Sequence, residues 1–319
     1  MAGGSSAGAY ATGLLAEHLK AIVSLQAGVL KDQDQEPLHQ LRVRIRHLGT
    51  LLLQFGPALQ LPERVTEQTL AKTGRRLGLV RDLDVLTGQL QHQLGLALPA
   101  DELSRLKPVL KTLVRSRKLA FAEMVEELRS RRYLRLLAKL QAWLRQPTWT
   151  ALGEEDARDW LVEWKTPVLA GLLSQPGWRA SDPDRDRACL HDLRKKIKRA
   201  RYGMANLKEL AGDSLGTWME RFKAQQDTLG GLNDLQVLEQ AIEEQLVGDL
   251  AQALPELSLR LQQQKRLLWQ QWQGQASLMR AARPARQGLD WPESAAKLRH
   301  RLTPEDGEIW PRIPSEPLK

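Results

Sequence analysis

Two histidine-centred stretches carry the residues best suited to holding a negatively charged ligand. The first is Leu38-His39-Gln40-Leu41-Arg42-Val43-Arg44-Ile45-Arg46-His47-Leu48, and the second is Leu190-His191-Asp192-Leu193-Arg194-Lys195-Lys196-Ile197-Lys198-Arg199-Ala200. His39 corresponds to His191, Arg42 to Arg194, Arg44 to Lys196 and Arg46 to Lys198, each 152 positions later. In a helix, at about 100° per residue, His39, Arg42 and Arg46 fall within about 60° of one another. Leu38, Leu41, Ile45, Leu48 and Leu52 take the other side. In the second copy His191, Arg194, Lys195 and Lys198 share a face, opposite Leu190, Leu193, Ile197 and Met204. Guanidinium and ammonium groups gathered in this way bind phosphate or another oxyanion through charge-assisted hydrogen bonds. The only carboxylate in either stretch is Asp192. Like charges on one helix face repel by a few tenths of a kcal/mol per adjacent pair. A cationic ridge that bears this cost twice fits an anion site better than ordinary surface.

Other chemistries fit less well. Zinc would need further His, Cys or carboxylate ligands at tight spacing, and neither stretch supplies them. A phosphate hydrogen bond, or one that orients a neighbouring arginine, suits His39 and His191 better. Surrounding guanidinium groups lower a histidine pKa and a bound polyanion raises it, so binding is expected to tighten as pH falls through about 6 to 7. Asp82 and Asp234 read as caps or as salt-bridge partners that orient an arginine. Asp82 and Asp84 form a D-x-D pair, but the second copy has Asp234 and Gln236, which speaks against a carboxylate metal site. The sequence has no glycine-rich phosphate loop, no G-x-S-x-G, no H-E-x-x-H and no cysteine pair. The single cysteine, Cys189, reads as a small buried residue.

The elements that must position these residues are helices. Leu, Ala, Gln, Arg and Glu dominate and aromatics make up 5% of the chain, which favours helix over sheet. Helical spacing covers residues 11–30, and Glu36-Pro37 opens the first signature helix, which stops near Phe55-Gly56-Pro57. A third helix runs from about Pro62 toward Gly78 and on to about Gly95. A long helix follows from Asp101 to Arg145, with a break expected between Arg129 and Tyr133. Pro147 to Gly153 is the best internal boundary. Helical spacing resumes over 156–175, Ser181 to Asp184 signals a turn and cap, and the second signature helix runs over about 185–210. Further helices are expected over 214–247 and 255–283.

The repeat extends beyond the signatures. Leu77-Gly78-Leu79-Val80-Arg81-Asp82-Leu83-Asp84-Val85-Leu86 aligns with Leu229-Gly230-Gly231-Leu232-Asn233-Asp234-Leu235-Gln236-Val237-Leu238, again 152 positions apart and without a gap. The chain therefore reads as two related four-helix units, 1–150 and 151–283, followed by a proline-containing tail, 284–319. That tail is charge-balanced, so the net charge of +9 resides in the helical part and points to a polyanionic partner. One cysteine suggests a reducing compartment. No apolar run approaches about 18 residues, so no membrane span is expected.

His-x-x-Arg-x-x-x-Arg, twice, each followed by Leu-Gly-x-x-x-Asp-Leu-x-Val-Leu, resembles the CHAD family, the conserved histidine α-helical domain. The resemblance covers about residues 8–283. It implies an all-α fold of two pseudo-twofold-related four-helix bundles with a basic central cavity. It also implies a non-catalytic module that binds inorganic polyphosphate and associates with polyphosphate granules in the cytoplasm, without a cofactor or metal. Carried over residue by residue, the ligand set is His39, Arg42, Arg44, Arg46, His191, Arg194, Lys195, Lys196, Lys198 and Arg201. Candidate secondary contacts are Lys72, Arg75, Lys111, Arg115, Lys118 and Lys223. The chain departs from the family pattern at His47-Leu48-Gly49, where more arginine is common, and at Asn233, which replaces the basic Arg81 of the first copy. The alternatives are a structured-RNA or other nucleic-acid binder using the same face, a polyphosphate-acting enzyme, and a scaffold for acidic proteins.

Overall fold

The structure is a computed structural model and describes residues 5–281, apart from 96–97 and 247. The longer helices are α1 (Ala7–Lys31), α2 (Glu36–Phe55), α3 (Glu67–Gly95), α4 (Ala100–Arg129) and α5 (Arg131–Trp143). The short α6 (Ala151–Glu154) precedes α7 (Leu161–Leu173) and α8 (Arg187–Ala205). After the short α9 (Lys208–Ala211) come α10 (Gly216–Glu243), the short α11 (Leu250–Ala253) and α12 (Pro255–Ala281). The fold is all-α: among the described residues the only β-type pairings are isolated bridges, Ser6 with Asp156 and Leu59 with Trp149. By compactness the chain divides into Met1–Ser277 and Leu278–Lys319, and the site lies in the first unit. The tail expected at 284–319 lies outside the described residues.

Local chemistry sets the helix ends. Ser6 caps α1 by accepting from the Ala9 amide at 3.2 Å. The break expected near residues 129–133 falls at Ser130, whose extended backbone and side chain cap the Tyr133 amide. The third helix begins five residues later than expected. Pro62 to Thr66 form a turn instead, with Arg64 in the left-handed region at φ 69°. Cys189 is exposed, not buried. It lies in the first turn of α8, about 100° from Leu190 and outside the Leu190, Leu193, Ile197 stripe that enters the core.

α1 is a longer apolar stretch than the sequence reading allowed for. It is long and apolar enough, by length and composition, to cross a bilayer. Here Ala11, Leu15, Leu19 and Ile22 are buried, and its Glu17 pairs with Arg44 of α2.

The repeat is visible in how each signature helix is tethered. Asp32, just before α2, pairs with Arg117 of α4 at 2.5 Å, and Arg117 also holds the buried Asp84 of α3 at 2.8 Å. At the matching place before α8, Asp184 pairs with Lys265 of α12 at 3.5 Å, and Lys265 holds Glu239 of α10 at 2.8 Å. Gln236, at the position of Asp84, donates to Asp184 and to the Pro183 carbonyl. Each loop that launches a signature helix is thus locked to the fourth long helix of its own half.

The halves also share packing. Leu86, Leu90, Leu106 and Val109 from α3 and α4 form one apolar cluster with Leu235, Leu238, Ile242, Leu257 and Leu261 from α10 and α12. Glu102 of α4, 1% exposed, accepts from the Glu256 and Leu257 amides at 2.9 and 3.0 Å. A carboxylate from the first half therefore caps the last helix of the second.

Candidate functional site

α2 and α8 pack against each other through equivalent positions. Asn206 donates to Gln54 at 3.1 Å, 152 positions apart, and Gln54 donates to the Gly203 carbonyl at 3.3 Å. The polar ridges of the two helices are brought to the same seam. α3 lies against α2, and α10 against α8, so both Leu-Gly blocks flank it.

The glycines of those blocks support the arginines. A Cβ on Gly78 would stand 3.7 Å from the Arg42 guanidinium, and one on Gly230 would stand 3.9 Å from Arg194 Nε. Arg42 lies flat on α3 and pairs with Asp82 at 3.0 Å; its side chain is 17% exposed and that of Asp82 62%. The spacing of Gly78 and Asp82, one turn apart, places the seat and the partner on the same face of α3. The Nε atoms of Arg42 and Arg194, and of Arg201 nearby on α8, are buried and have no hydrogen-bond partner among the described residues.

The electrostatics converge on Lys198. Burial pushes its pKa down to about 6, and the charges of Arg46, Arg42 and Arg194 push in the same direction, with Asp82 opposing. Arg46 is itself held below its ordinary value, by burial and then by Arg42, while its hydrogen bond to Tyr202 works the other way. Asp234 is raised by burial, offset by Arg194 and by a hydrogen bond from Asn233. Asp82 and Lys198 also act on Asp234, so carboxylates and cations from both repeats share one field. His39 is lowered by burial first and then by Arg81, with Arg42 and Lys198 adding to it. The direction matches the expectation from the sequence, but burial is the larger cause. His191 Nδ1 lies 3.3 Å from Asn233 Oδ1, so its neighbour is the residue standing where the first copy has Arg81.

Seven of the residues singled out by sequence therefore gather at the seam or its edge: His39, Arg42, Arg46, His191, Arg194, Lys198 and Arg201. The others do not join them. Arg44 turns to α1, where it pairs with Glu17 at 3.1 Å and meets His18 Nδ1 at 3.3 Å. Lys196 is exposed. Both lie two residues beyond the seam arginine, about 200° around the helix, so one ridge cannot hold both. Lys195 is exposed and paired with Asp192 at 2.7 Å. Lys72 and Arg75 are exposed on α3. Lys111, Arg115 and Lys118 are exposed on the side of α4 away from the buried Leu113, Ala120 and Met124. Lys223 is exposed and pairs with Asp227 at 3.5 Å.

Sequence reasoning did not find Tyr202. It accepts from Arg46 and packs on His47 at 4.3 Å between ring centroids, and His47 stacks in turn on His18 at 5.0 Å. The only available signal was its position, equivalent to Thr50 on the same ridge.

Comparison with known proteins agrees on the fold. A family model described as CHAD domain matches residues 13–243. Two uncharacterized proteins of Mycobacterium tuberculosis, MT2285 of strain CDC 1551 / Oshkosh and Rv2226 of strain ATCC 25618 / H37Rv, are each 30% identical over 174 residues. The match covers 53% of this chain and 34% of each relative, so the chain matches about a third of their length. The crystal structure of the CHAD domain from the plant Ricinus communis superposes with a TM-score of 0.60 at 25% identity, over 94% of this chain and 93% of that one. PptA from Streptomyces chartreusis has the same fold, with a TM-score of 0.63 at 16% identity over 85% of this chain and 99% of that one.

Proposed function

The chain belongs to the CHAD domain family, and from that premise we propose that it is a non-catalytic binder of inorganic polyphosphate, gripping the polyanion at the α2–α8 seam. The observation that carries this reading is the convergence of Arg42, Arg46 and Arg194 on the buried Lys198, whose pKa burial lowers first and these three charges lower further. A protein gains nothing in stability from burying mutually repelling cations. An anion threaded between them removes the repulsion and offers acceptors to the unpartnered Nε atoms of Arg42 and Arg194. Each charge-assisted bond contributes roughly 1.5–3 kcal/mol. Polyphosphate presents no base edges or sugars, so a row of cationic donors is a sufficient reader.

Lys198 is held well below its ordinary pKa in the free protein, and a bound polyanion raises that pKa, so binding is accompanied by proton uptake. His39 responds in the same sense. Among the described residues no group of three His, Cys, Asp or Glu side chains is placed to hold a metal ion. Asp82 and Asp234 act on this reading as orienting partners of Arg42 and Arg194. In the cell the protein would reside in the cytoplasm, at polyphosphate granules.

The test is a calorimetric titration with long-chain polyphosphate, with tRNA as competitor. Arg42→Glu with Arg194→Glu is expected to abolish binding and leave the helical circular-dichroism spectrum unchanged. Retained affinity in that double variant defeats the reading, as does displacement of polyphosphate by equimolar tRNA.

A further inference from the structure

A one-sided run of charge outside the seam lies at and around α5. Between Leu128 and Gly153 there are six Arg/Lys and no Asp/Glu. Tyr133, Leu136, Leu137 and Leu140 bury the inner face of α5. Its outer face presents Arg131, Arg135 and Lys139 at i, i+4 spacing, all exposed. Arg129, Arg131 and Arg135 have no carboxylate partner among the described residues. The first turn of α5 carries two arginines and no acid, the reverse of what the helix dipole favours. Arg132 is compensated by Glu127, but Arg131 breaks this local rule with no carboxylate partner among the described residues, the kind of inconsistency expected at functional sites.

This face connects to the seam through α3. Arg132 docks the start of α5 on α3, donating to the Thr69 carbonyl at 3.0 Å and pairing with Glu127. Burial lowers the Arg132 pKa and the charge of Arg75 lowers it further, so Arg75 and the start of α5 share a neighbourhood. Arg75 in turn precedes Asp82, the partner of Arg42, by seven residues. That is about 10 Å along the same exposed side of α3. A stripe of positive potential therefore leads from the Arg42–Asp82 pair past Arg75 to Arg131 and Arg135.

Resting on the polyphosphate reading above, we propose that this α3–α5 stripe is a second binding surface for the same polyanion. A short phosphate chain fills the seam alone. A long one continues past Arg75 and is held by Arg131 and Arg135, so the protein selects for chain length.

The experiment compares tripolyphosphate with long-chain polyphosphate on the full chain and on two variants of equal net charge. One is Arg131→Glu/Arg135→Glu. The other, a control at exposed cations elsewhere, is Lys20→Glu/Arg266→Glu. Loss of two phosphate contacts is expected to weaken long-chain binding about tenfold at moderate salt, and to reduce the slope of log K against log salt by about 1.4. Tripolyphosphate affinity is expected to stay unchanged, and the control to bind both ligands as the parent does. Unchanged long-chain affinity in the Arg131/Arg135 variant overturns the proposal, as does an equal loss in the control. So does a loss confined to RNA or to phosphatidylserine vesicles. If the parent protein binds tripolyphosphate while the α5 variant is silent, only this second surface falls. If the parent binds neither phosphate chain, the reading of the seam falls and takes this one with it.

Discussion

Asn206 donates a hydrogen bond of 3.1 Å to Gln54, the residue that holds its own position one repeat earlier. Contact between equivalent residues makes the α2–α8 packing self-complementary, as at a twofold interface. The same relation brings Arg46 into the field of Lys198, its counterpart. Facing cations are thus built into the way the repeats meet.

Lys198 should limit the stability of the free protein. Its pKa is near 6 in the folded chain against 10.5 unfolded. Below about pH 10 the unfolded chain binds the extra proton, so stability falls as pH drops from 10.5 toward 6 and is flat in this respect below 6. Lys198→Met is expected to raise the thermal midpoint of the free protein at pH 7 and to weaken polyphosphate binding. Differential scanning calorimetry with and without ligand checks both, and a lowered midpoint in the variant contradicts the repulsion argument.

His47 should set the acid limb. Burial, with help from His18, holds its pKa at about 4, below the ordinary 6.5. The folded chain therefore resists a proton that the unfolded chain accepts, and stability is lost as pH falls from about 6.5 to 4. His47→Gln is expected to flatten urea midpoints across that window. His47 is stacked between the buried His18 and Tyr202 rings, which limits the solvent that can share its charge.

Gly78 and Gly230 should separate helix propensity from arginine seating. A Cβ at 3.7–3.9 Å is ordinary van der Waals contact. Gly78→Ala is therefore expected to stabilise α3 by about 0.5–1 kcal/mol with binding kept. Gly78→Leu should lift the Arg42 guanidinium off α3 and lower polyphosphate affinity severalfold. Denaturant melts and titrations on the two variants, side by side, give the answer.

Arg117 should be the costliest cation to remove. It is the partner of Asp84, whose side chain is 1% exposed, and it also anchors Asp32. Arg117→Ala leaves a buried carboxylate unpaired, which costs about 3–5 kcal/mol. Adding Asp84→Asn to that variant should recover part of the loss in a urea titration.

Much of this was legible in the sequence. The apolar stripes of α2 and α8 and the ungapped repeat placed Arg42, Arg46, Arg194 and Lys198 on ridges that do meet. The break at Ser130 was visible because serine and charge interrupt a continuous apolar period. Arg44 and Lys196 were misplaced because matching residue types between repeats says nothing about azimuth, and two residues is the wrong step for a shared helix face. Lys111, Arg115 and Lys118 were placed by charge alone, while the period of α4 already turned them outward. The Glu102 cap on α12 had no local signal, since its donors lie 154 and 155 residues away.

That cap ties the start of α12 to α4. Severed between Pro147 and Gly153, the protein would yield a carboxyl-terminal fragment whose last helix opens on bare amides. Split-protein complementation, with the amino-terminal piece supplying the missing acceptor, is the behaviour such wiring favours.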